Sequence, residues 1–164
     1  MNFLTKLIED EWFMGLALEE AHKASTMDEV PIGAVLVSNT GEVLSRAHNI
    51  KEKNHNPLGH AELLVIQESS KKTKDWRLTG ATLYVTLEPC LMCVGAMWQS
   101  RIERLVFGAY DSKGGFLSLN YNLHQDTRLN HQLTVMGGVK HLECGKLLSE
   151  FFRLKRKNYN HDNK

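Results

Sequence analysis

The alternation of apolar and polar residues predicts helices and strands that follow one another along the chain. Near the N-terminus, apolar side chains recur at helical spacing, in a stripe made of Phe13, Leu16, Ala17, Ala21 and Ala24. Pro31 ends this helix. A continuous apolar run at 32–37 then predicts a buried strand, and turn residues at 39–41 lead into a return strand at 42–47. Together the two strands form a predicted hairpin.

The remaining segments continue this alternation. Apolar residues at helical spacing predict helices at 60–69, at 90–100 and at about 141–157. Runs rich in β-branched and other apolar residues predict strands at 82–87, 104–108 and 133–136. Strands that alternate with helices favour an α/β fold whose sheet is covered on both faces. The hairpin makes this sheet mixed rather than purely parallel.

The length of the chain fits one domain. At 164 residues it is long enough to bury a substantial core, and it contains no repeat, no low-complexity stretch and no linker. We therefore expect a single domain over residues 1–164, with a flexible tail at 158–164 behind the last helix.

Composition and charge exclude several classes of protein. Hydrophobic residues make up 42% of the chain and charged residues 24%, which is typical of a globular protein. No apolar run is long enough to cross a bilayer, and charges interrupt the N-terminal segment too early for a signal peptide. We therefore expect a cytoplasmic protein without a membrane partner. Because the formal net charge is only +1, a nucleic acid would have to be held by a local basic patch.

The candidate chemistry lies in two short motifs. His60-Ala61-Glu62 is followed thirty positions later by Cys90, and Cys93 lies three residues beyond that. An odd number of cysteines without an export signal favours free thiols or metal ligands over disulfides. His60, Cys90 and Cys93 supply three zinc ligands, whereas a structural zinc site normally has four and a catalytic site keeps one position open for water. The order H-x-E and then P-C-x-x-C is an established signature of zinc-dependent nucleobase deaminases.

The spacing also predicts how these side chains meet. Both motifs open a predicted helix, so His60 and Glu62 are expected in the first turn of one helix and the two cysteines in the first turn of the next. Residues three apart on a helix face the same way. A helix N-terminus favours the thiolate that zinc requires. Glu62 is then the expected proton carrier, first as base for the water and afterwards as acid for the departing amine.

Several residues leave alternatives open. Cys144 could be the fourth ligand of a structural zinc site, although it has no ligand partner at zinc-binding spacing and also fits a small buried apolar residue. Asn49 follows a predicted strand, so its amide could serve a turn or could donate to and accept from the edge of a purine. A structural zinc would be compatible with an RNA-binding domain without catalytic activity, against which the intact Glu62 argues.

A basic stretch near the C-terminus has two readings. Residues 152–157 combine aromatic and basic side chains, which occur at helix ends for electrostatic reasons alone. They could also stack on a base and contact phosphates. Phe151 and Phe152 fit either a core or a stacking platform. The candidates for phosphate contacts are Lys51, Lys53, Arg153, Lys155 and Arg156.

The motifs resemble those of the bacterial tRNA-specific adenosine deaminase family, within the cytidine deaminase-like superfamily. The resemblance covers nearly the whole chain, from about Trp12 to Arg156. The segments that carry it are 29–35, 49, 60–62, 76–78, 81–90, 93, 95–96, 100–102, 106–109, 111, 130–131 and 151–153. The zinc motif alone indicates a deaminase, whereas the stretch Phe107–Asp111 and the Phe-Phe-Arg sequence at 151–153 indicate the tRNA branch.

The resemblance implies a three-layer α/β/α sandwich with a five-stranded sheet and a homodimer that holds one Zn²⁺ per subunit. It implies hydrolysis of adenosine to inosine at the wobble position of an arginine tRNA with the anticodon ACG, bound through its anticodon stem-loop. The nearest alternative is a free-base or nucleotide deaminase, of guanine or cytosine type, with the same zinc motif.

The resemblance also implies roles for individual residues. Asn49 matches the position that binds the target adenine, and the Ala61 N–H group matches one that helps to hold the water or the base. Asp111 matches a contact to the backbone or ribose of the anticodon loop. The remaining implied substrate contacts are Asn130, His131, Phe151 and Arg153. The loop 112–118 departs from the family pattern in its length and in its bulky Phe116 and Leu117.

Overall fold

The computed structural model describes residues 3–162, and it describes side chains for residues 4–159. The chain forms four α-helices, one 3₁₀ turn and five strands within these residues. In chain order they are α1 (Phe3–Thr26), β1 (Gly33–Val37), β2 (Val43–His48), α2 (Ala61–Thr73), β3 (Thr82–Leu87), α3 (Leu91–Gln99), β4 (Arg104–Ala109), the 3₁₀ turn (Leu123–Gln125), β5 (Thr134–Gly137) and α4 (His141–Asp162).

The five strands form one mixed sheet in the order β2-β1-β3-β4-β5. Strand β1 runs antiparallel to both β2 and β3, whereas β3, β4 and β5 run parallel. The hairpin β1–β2 therefore gives the sheet its antiparallel part, and the crossovers through α3 and through the segment after β4 give its parallel part. The mixed sheet predicted from the sequence is confirmed.

Side chains that alternate along the strands supply two cores, one on each face of the sheet. Leu83 and Val85 of β3 pack with Val65 of α2 and Met97 of α3. Tyr84, between them, packs on the other face with residues of α1, and Cys144 of α4 belongs to this second core. Successive side chains of a strand point to opposite faces. The fold is therefore a three-layer α/β/α sandwich, as the resemblance implied.

One edge of the sheet collects the ends of four strands. Strand β1 begins there, and β2, β3 and β4 end there, because β1 is antiparallel to the first two and β3 is parallel to β4. Asn49, Glu88 and Asp111 follow these three strand ends, at or near the same edge. The Asn49 N–H group donates to the Ile32 carbonyl over 3.0 Å, which ties the β2 end to the start of β1. Ligands of open α/β sheets bind at such strand ends.

Several boundaries differ from the predictions. His60 and Cys90 are the N-cap residues of α2 and α3, with extended backbone, and therefore lie just before the first turns rather than inside them. Helix α4 begins at His141, as predicted, but continues to Asp162 rather than ending near 157. Residues 158–162, expected to be a tail, are therefore helical, and residues 163 and 164 lie outside the described residues. No helix in the described part of the chain is long and apolar enough to span a membrane.

Candidate active site

His60, Cys90 and Cys93 converge at the N-termini of α2 and α3. The His60 Nδ1 atom lies 3.9 Å from the Cys90 sulfur and 3.6 Å from the Cys93 sulfur, and the two sulfurs are 3.7 Å apart. Among the described residues, these three form the only group of three or more His, Cys, Asp or Glu side chains placed to hold a metal ion. The predicted ligand set is therefore brought together.

These distances fit a zinc ion. Zinc bound tetrahedrally at the usual bond lengths would hold two thiolate sulfurs about 3.8 Å apart and a sulfur and an imidazole nitrogen about 3.6 Å apart. The observed separations lie within a few tenths of an ångström of these values. Two thiolates and an imidazole are also the donors that zinc prefers.

The position of Cys144 excludes the structural four-ligand alternative. Cys144 is buried in the core formed with α1 and α4, whereas Cys93 is buried in the core on the opposite face of the sheet. The sheet therefore separates the two thiols. The site has three protein ligands, which is the number found in catalytic zinc centres.

The two cysteine thiols are poised to ionise one after the other. A hydrogen bond from the Cys93 thiol lowers the pKa of Cys90 to about 4, with His60 contributing in the same direction. The pKa of Cys93 is raised because its hydrogen bond to Cys90 keeps the proton on the Cys93 thiol and because the side chain is buried. Cys90 is therefore the first thiolate available to a cation, and a bound cation would favour ionisation of the second thiol.

Glu62 is a buried carboxyl group with a free oxygen. Only 3% of the residue is exposed, and its Oε2 atom has no hydrogen-bond partner. Burial raises the pKa of Glu62, and the nearby groups that act on it include His60 and Cys90. A buried polar atom without a partner costs free energy, so its retention beside three metal ligands points to use of that oxygen. A carboxyl group with a raised pKa is suited to accept a proton and release it again.

Asn49 contacts the start of α2. Its Oδ1 atom accepts the Ala61 N–H group over 3.0 Å, and the residue is 95% buried, with 5% exposed. The Ala61 N–H group is therefore engaged within the protein. The resemblance had implied instead that this group helps to hold the water or the base. Because Oδ1 is occupied, the Asn49 NH₂ group is the part of the amide left to contact a ligand.

A cleft of about 590 Å³ opens at this edge of the sheet. It combines apolar walls with charged residues from two loops and from α4. The lining residues are Val30, Ile32, Asn49, Lys51, His60, Leu87, Asp111, Lys113, Leu148, Ser149, Phe152 and Arg156. Its volume is in the range of small-molecule sites. The structure thus places Asn49, His60 and Asp111 around one cavity.

The apolar residues that line this cleft were not predicted from the sequence. Val30 and Ile32 precede β1, and Leu87 is the last residue of β3. Apolar residues in and beside strands are normally expected in the core. Only their position at strand ends, where the sheet meets the cleft, could have indicated that they contact a ligand.

Helix α4 presents Phe152 rather than Phe151 to the cleft. Phe151 is only 7% exposed, whereas Phe152 is 41% exposed and lines the cavity. Their rings pack edge to face with centroids 5.4 Å apart. Arg153 does not line the cleft and lies instead in a neighbouring depression with Lys146 and Arg156. Phe151 and Arg153 therefore do not line this cavity, and the substrate contacts predicted for them stay predictions.

Asn130 and His131 contact the protein rather than the cleft. The Asn130 Oδ1 atom accepts a hydrogen bond from Arg101 over 2.9 Å. The His131 carbonyl accepts the indole N–H group of Trp98 over 3.0 Å, and its ring Nε2 lies 2.6 Å from the Ile102 carbonyl. These contacts join the loop before β5 to the end of α3. Neither residue lines the cleft within this chain.

Comparison with known proteins identifies the family. Residues 7–109 match the family described as the cytidine and deoxycytidylate deaminase zinc-binding region. The chain is 54% identical to the tRNA-specific adenosine deaminase of Bacillus subtilis (strain 168), over 92% of this chain and 93% of that protein. The chain belongs to the tRNA-specific adenosine deaminase family.

Two further relatives agree with this assignment. The tRNA-specific adenosine deaminase of Haemophilus influenzae is 43% identical, over 90% of this chain and 85% of that protein. A solved structure from work on A-to-I editing by tRNA:A34 deaminases at the wobble position of transfer RNA superposes with a TM-score of 0.78 and 44% identity. It covers 83% of this chain and 98% of that one. The predicted family, fold class and zinc cofactor are confirmed.

Proposed function

We propose that this protein hydrolyses adenosine to inosine at the wobble position of a tRNA anticodon, with the arginine tRNA that carries ACG as its substrate. The observation that carries the proposal is the three-ligand zinc site beside the buried, unpartnered Glu62 oxygen. The chain's 54% identity to a tRNA-specific adenosine deaminase supports the same substrate.

The proposed reaction adds water to the adenine ring and releases ammonia. Zinc held by His60, Cys90 and Cys93 supplies a Lewis acid that lowers the pKa of a water molecule. Glu62 accepts a proton from the attacking water and delivers it to N1 as the bond from oxygen to C6 forms. Glu62 then takes the second proton of the former water molecule from the oxygen now bonded to C6 and delivers it to the amine. The amine leaves as ammonia when the C6–N bond breaks.

Asn49 orients the base in this proposal. Its Oδ1 atom is held by Ala61, so its NH₂ group donates to an acceptor nitrogen of the purine ring. Val30, Ile32 and Leu87 provide apolar walls for the ring. The base reaches them only after leaving its stack in the anticodon loop, which is the general strategy of enzymes that modify bases.

The rim of the cleft suits the nucleotides beside the target. Asp111 offers a carboxylate to a ribose hydroxyl, and Lys51, Lys113 and Arg156 offer positive charge to phosphates. Phe152 presents an exposed ring on which an unstacked base can pack. This combination favours a single-stranded RNA loop over a free base, which has neither ribose nor phosphate.

The proposal includes a homodimer in the cytoplasm. Asn130 and His131 do not line the cleft of their own chain, and a second subunit that brought them beside its neighbour's cleft would account for the substrate contacts that the resemblance implies. The mass in solution, by light scattering, should be twice the 18.7 kDa of one chain. A mass equal to one chain would contradict the dimer.

The decisive experiment compares substrates. Purified zinc-loaded protein is incubated with an anticodon stem-loop of sequence ACG and, separately, with free adenine, adenosine, guanine and cytosine. We expect inosine at the wobble position and no turnover of the free compounds. Turnover of a free base without conversion of the stem-loop would instead support the alternative of a free-base deaminase.

A further inference from the structure

Glu88 is a buried carboxylate between β3 and the zinc ligand Cys90. Only 2% of the residue is exposed, and the hydrogen bonds that its carboxylate accepts come from neutral groups of Asp111 and Ser118. Burial of a carboxylate is costly unless hydrogen bonds satisfy it. Its position therefore needs an explanation that the zinc chemistry does not provide.

Three hydrogen bonds from a single loop satisfy this carboxylate. The Oε2 atom accepts the Asp111 N–H group over 2.9 Å and the Ser118 hydroxyl over 2.5 Å. The Oε1 atom accepts the Ser118 N–H group over 2.8 Å. Both ends of the loop 111–118 are thus bound to one side chain. Hydrogen bonds to an ionised carboxylate are stronger than those between neutral groups.

The middle of the loop also closes around Glu88. A Cβ atom at Gly115 would lie 2.3 Å from the Glu88 carboxyl carbon, so only glycine fits at this position without movement. The next residue, Phe116, is fully buried, and its N–H group donates to the Pro89 carbonyl over 3.0 Å. The loop is therefore fixed against the segment that carries Cys90.

The loop in turn fixes two residues at the rim of the cleft. Asp111 and Lys113 both line the cavity. The Asp111 Oδ1 atom accepts the Lys113 N–H group over 2.9 Å, and the Asp111 backbone is held by Glu88. Because Glu88 lies two residues before Cys90, one rigid connection sets the distance between the metal site and this rim.

Glu29 does the same for the opposite rim. It is 1% exposed, and its two oxygens accept the N–H groups of Glu52 and Lys53 over 3.1 and 2.7 Å. These residues follow Lys51, which lines the cleft. Two buried carboxylates thus fix two loops that line one cavity, and both therefore contribute to the shape of its entrance.

We propose that Glu88 is a positioning residue for substrate recognition, which holds Asp111 and Lys113 where they contact the ribose and phosphate beside the target nucleotide. The inference rests on the proposed function. Glu88 does not touch the reacting atoms, so its loss acts on binding of the RNA loop more than on the chemical step.

The test is Glu88→Gln, assayed for KM and kcat on the ACG stem-loop together with zinc content. Glutamine retains one acceptor oxygen but places an NH₂ group against a loop donor. We expect KM to rise about tenfold or more, since a lost hydrogen bond to a charged group has that effect. Zinc content should stay at one per chain, and kcat should fall much less than KM rises.

Two further variants separate positioning from general destabilisation. Ser118→Ala removes one of the three hydrogen bonds and should raise KM by a smaller factor. The double variant should raise KM by less than the product of the two single effects, because both residues act through one contact. Asp10→Asn is the control. Asp10 is another buried carboxylate, on α1, and it contacts Arg104 at the start of β4, away from the cleft. Its substitution should lower the melting temperature without changing KM.

Each outcome has a clear meaning. An unchanged KM in folded, zinc-loaded Glu88→Gln would overturn the inference, as would an equal rise in KM in Asp10→Asn. If Glu88→Gln does not fold, an unchanged KM in Ser118→Ala overturns it instead. If the wild-type protein does not convert the stem-loop, the proposed function fails. If the wild-type protein converts it and the variant has the same KM, only the inference about Glu88 fails.

Discussion

Asn49 and Ala61 are joined by a hydrogen bond of 3.0 Å in which the first N–H group of α2 donates to the Asn49 side-chain oxygen. The bond connects the end of β2 to the helix that carries Glu62. It satisfies one of the donors that every helix N-terminus leaves free. It also fixes which side of the Asn49 amide faces the cleft, because the oxygen is already engaged.

Asn49→Asp tests this orientation. Aspartate keeps the oxygen that accepts the Ala61 N–H group but replaces the NH₂ donor with a second acceptor. We expect kcat/KM on the stem-loop to fall about ten- to a hundredfold, since a purine acceptor then faces an oxygen. The melting temperature should change little. Asn49→Ala is the comparison, because it also removes the bond to Ala61 and should lower the melting temperature.

Glu62→Gln tests the proton carrier. The substitution keeps the shape of the side chain but removes its ability to take a proton from water. We expect kcat to fall by about 10²–10⁴-fold, with one zinc per chain retained because Glu62 is not among the three ligands. Turnover near that of the wild type would contradict the role, whatever the zinc content.

The fold could be predicted because its elements carry strong local patterns. Strand β3 has the bounds that its β-branched residues indicated, and the helices α2 and α3 begin where the zinc motifs begin. The zinc site was predictable for a related reason. His60 and Cys90 lie directly before helix starts and Cys93 lies in a first turn, so their relation to the backbone follows from sequence spacing alone.

The positions of the residues proposed to contact RNA could not be predicted in the same way. Phe151 and Phe152 are neighbours on α4, and helical spacing turns them about 100° apart. Which one meets the cleft depends on how α4 packs against the sheet. Asn130 and His131 lie in a loop whose contacts with Arg101, Trp98 and Ile102 are all distant in sequence. Such contacts leave no periodic signal.

Thiol reactivity should report removal of the metal. In zinc-loaded protein at pH 8, we expect no thiol to react rapidly with a disulfide reagent. A chelator should expose one reactive thiol, that of the half-buried Cys90, whereas the buried thiols of Cys93 and Cys144 should react slowly until the protein unfolds. Burial raises the pKa of Cys144 from 9.0 to about 12, so its thiolate is scarce at pH 8 and becomes more abundant only as the pH rises.

Single substitutions provide the controls for this experiment. Cys90→Ser should lose zinc, measured by elemental analysis, and with it the activity. Cys144→Ser should keep one zinc per chain, because Cys144 lies on the other face of the sheet. Loss of zinc from Cys144→Ser would restore the alternative of a four-ligand structural site.

Salt dependence should separate two adjacent basic residues. Arg156 lines the cleft, whereas the Lys155 ammonium group pairs with Asp28. We expect Arg156→Ala to weaken binding of the stem-loop and to reduce the slope of log affinity against log salt by about 0.7, the effect of one lost phosphate contact on a single strand. Lys155→Ala should change the slope less. Equal changes in both variants would contradict the assignment.

The pair of Asp10 and Arg104 should contribute strongly to stability. The Asp10 side chain is fully buried, and the Arg104 guanidinium group donates to both of its oxygens over 2.7 Å. The Tyr84 hydroxyl donates to the same carboxylate over 2.9 Å. The three side chains join α1 to β3 and β4. Arg104→Met leaves the buried carboxylate with only the longer ion-pair contact to Lys6 over 3.9 Å, so we expect a loss of about 3–5 kcal/mol in the free energy of unfolding.

Denaturant unfolding, followed by circular dichroism, measures this loss. Lys71→Ala is the control, because it removes the exposed ion pair with Glu68, and exposed pairs contribute little. In the double variant Asp10→Leu with Arg104→Met, no buried charge remains unpaired, so its stability should exceed that of Arg104→Met alone. If the double variant were less stable than the wild type by the sum of the two single effects, the two residues would act independently and the predicted coupling would be contradicted.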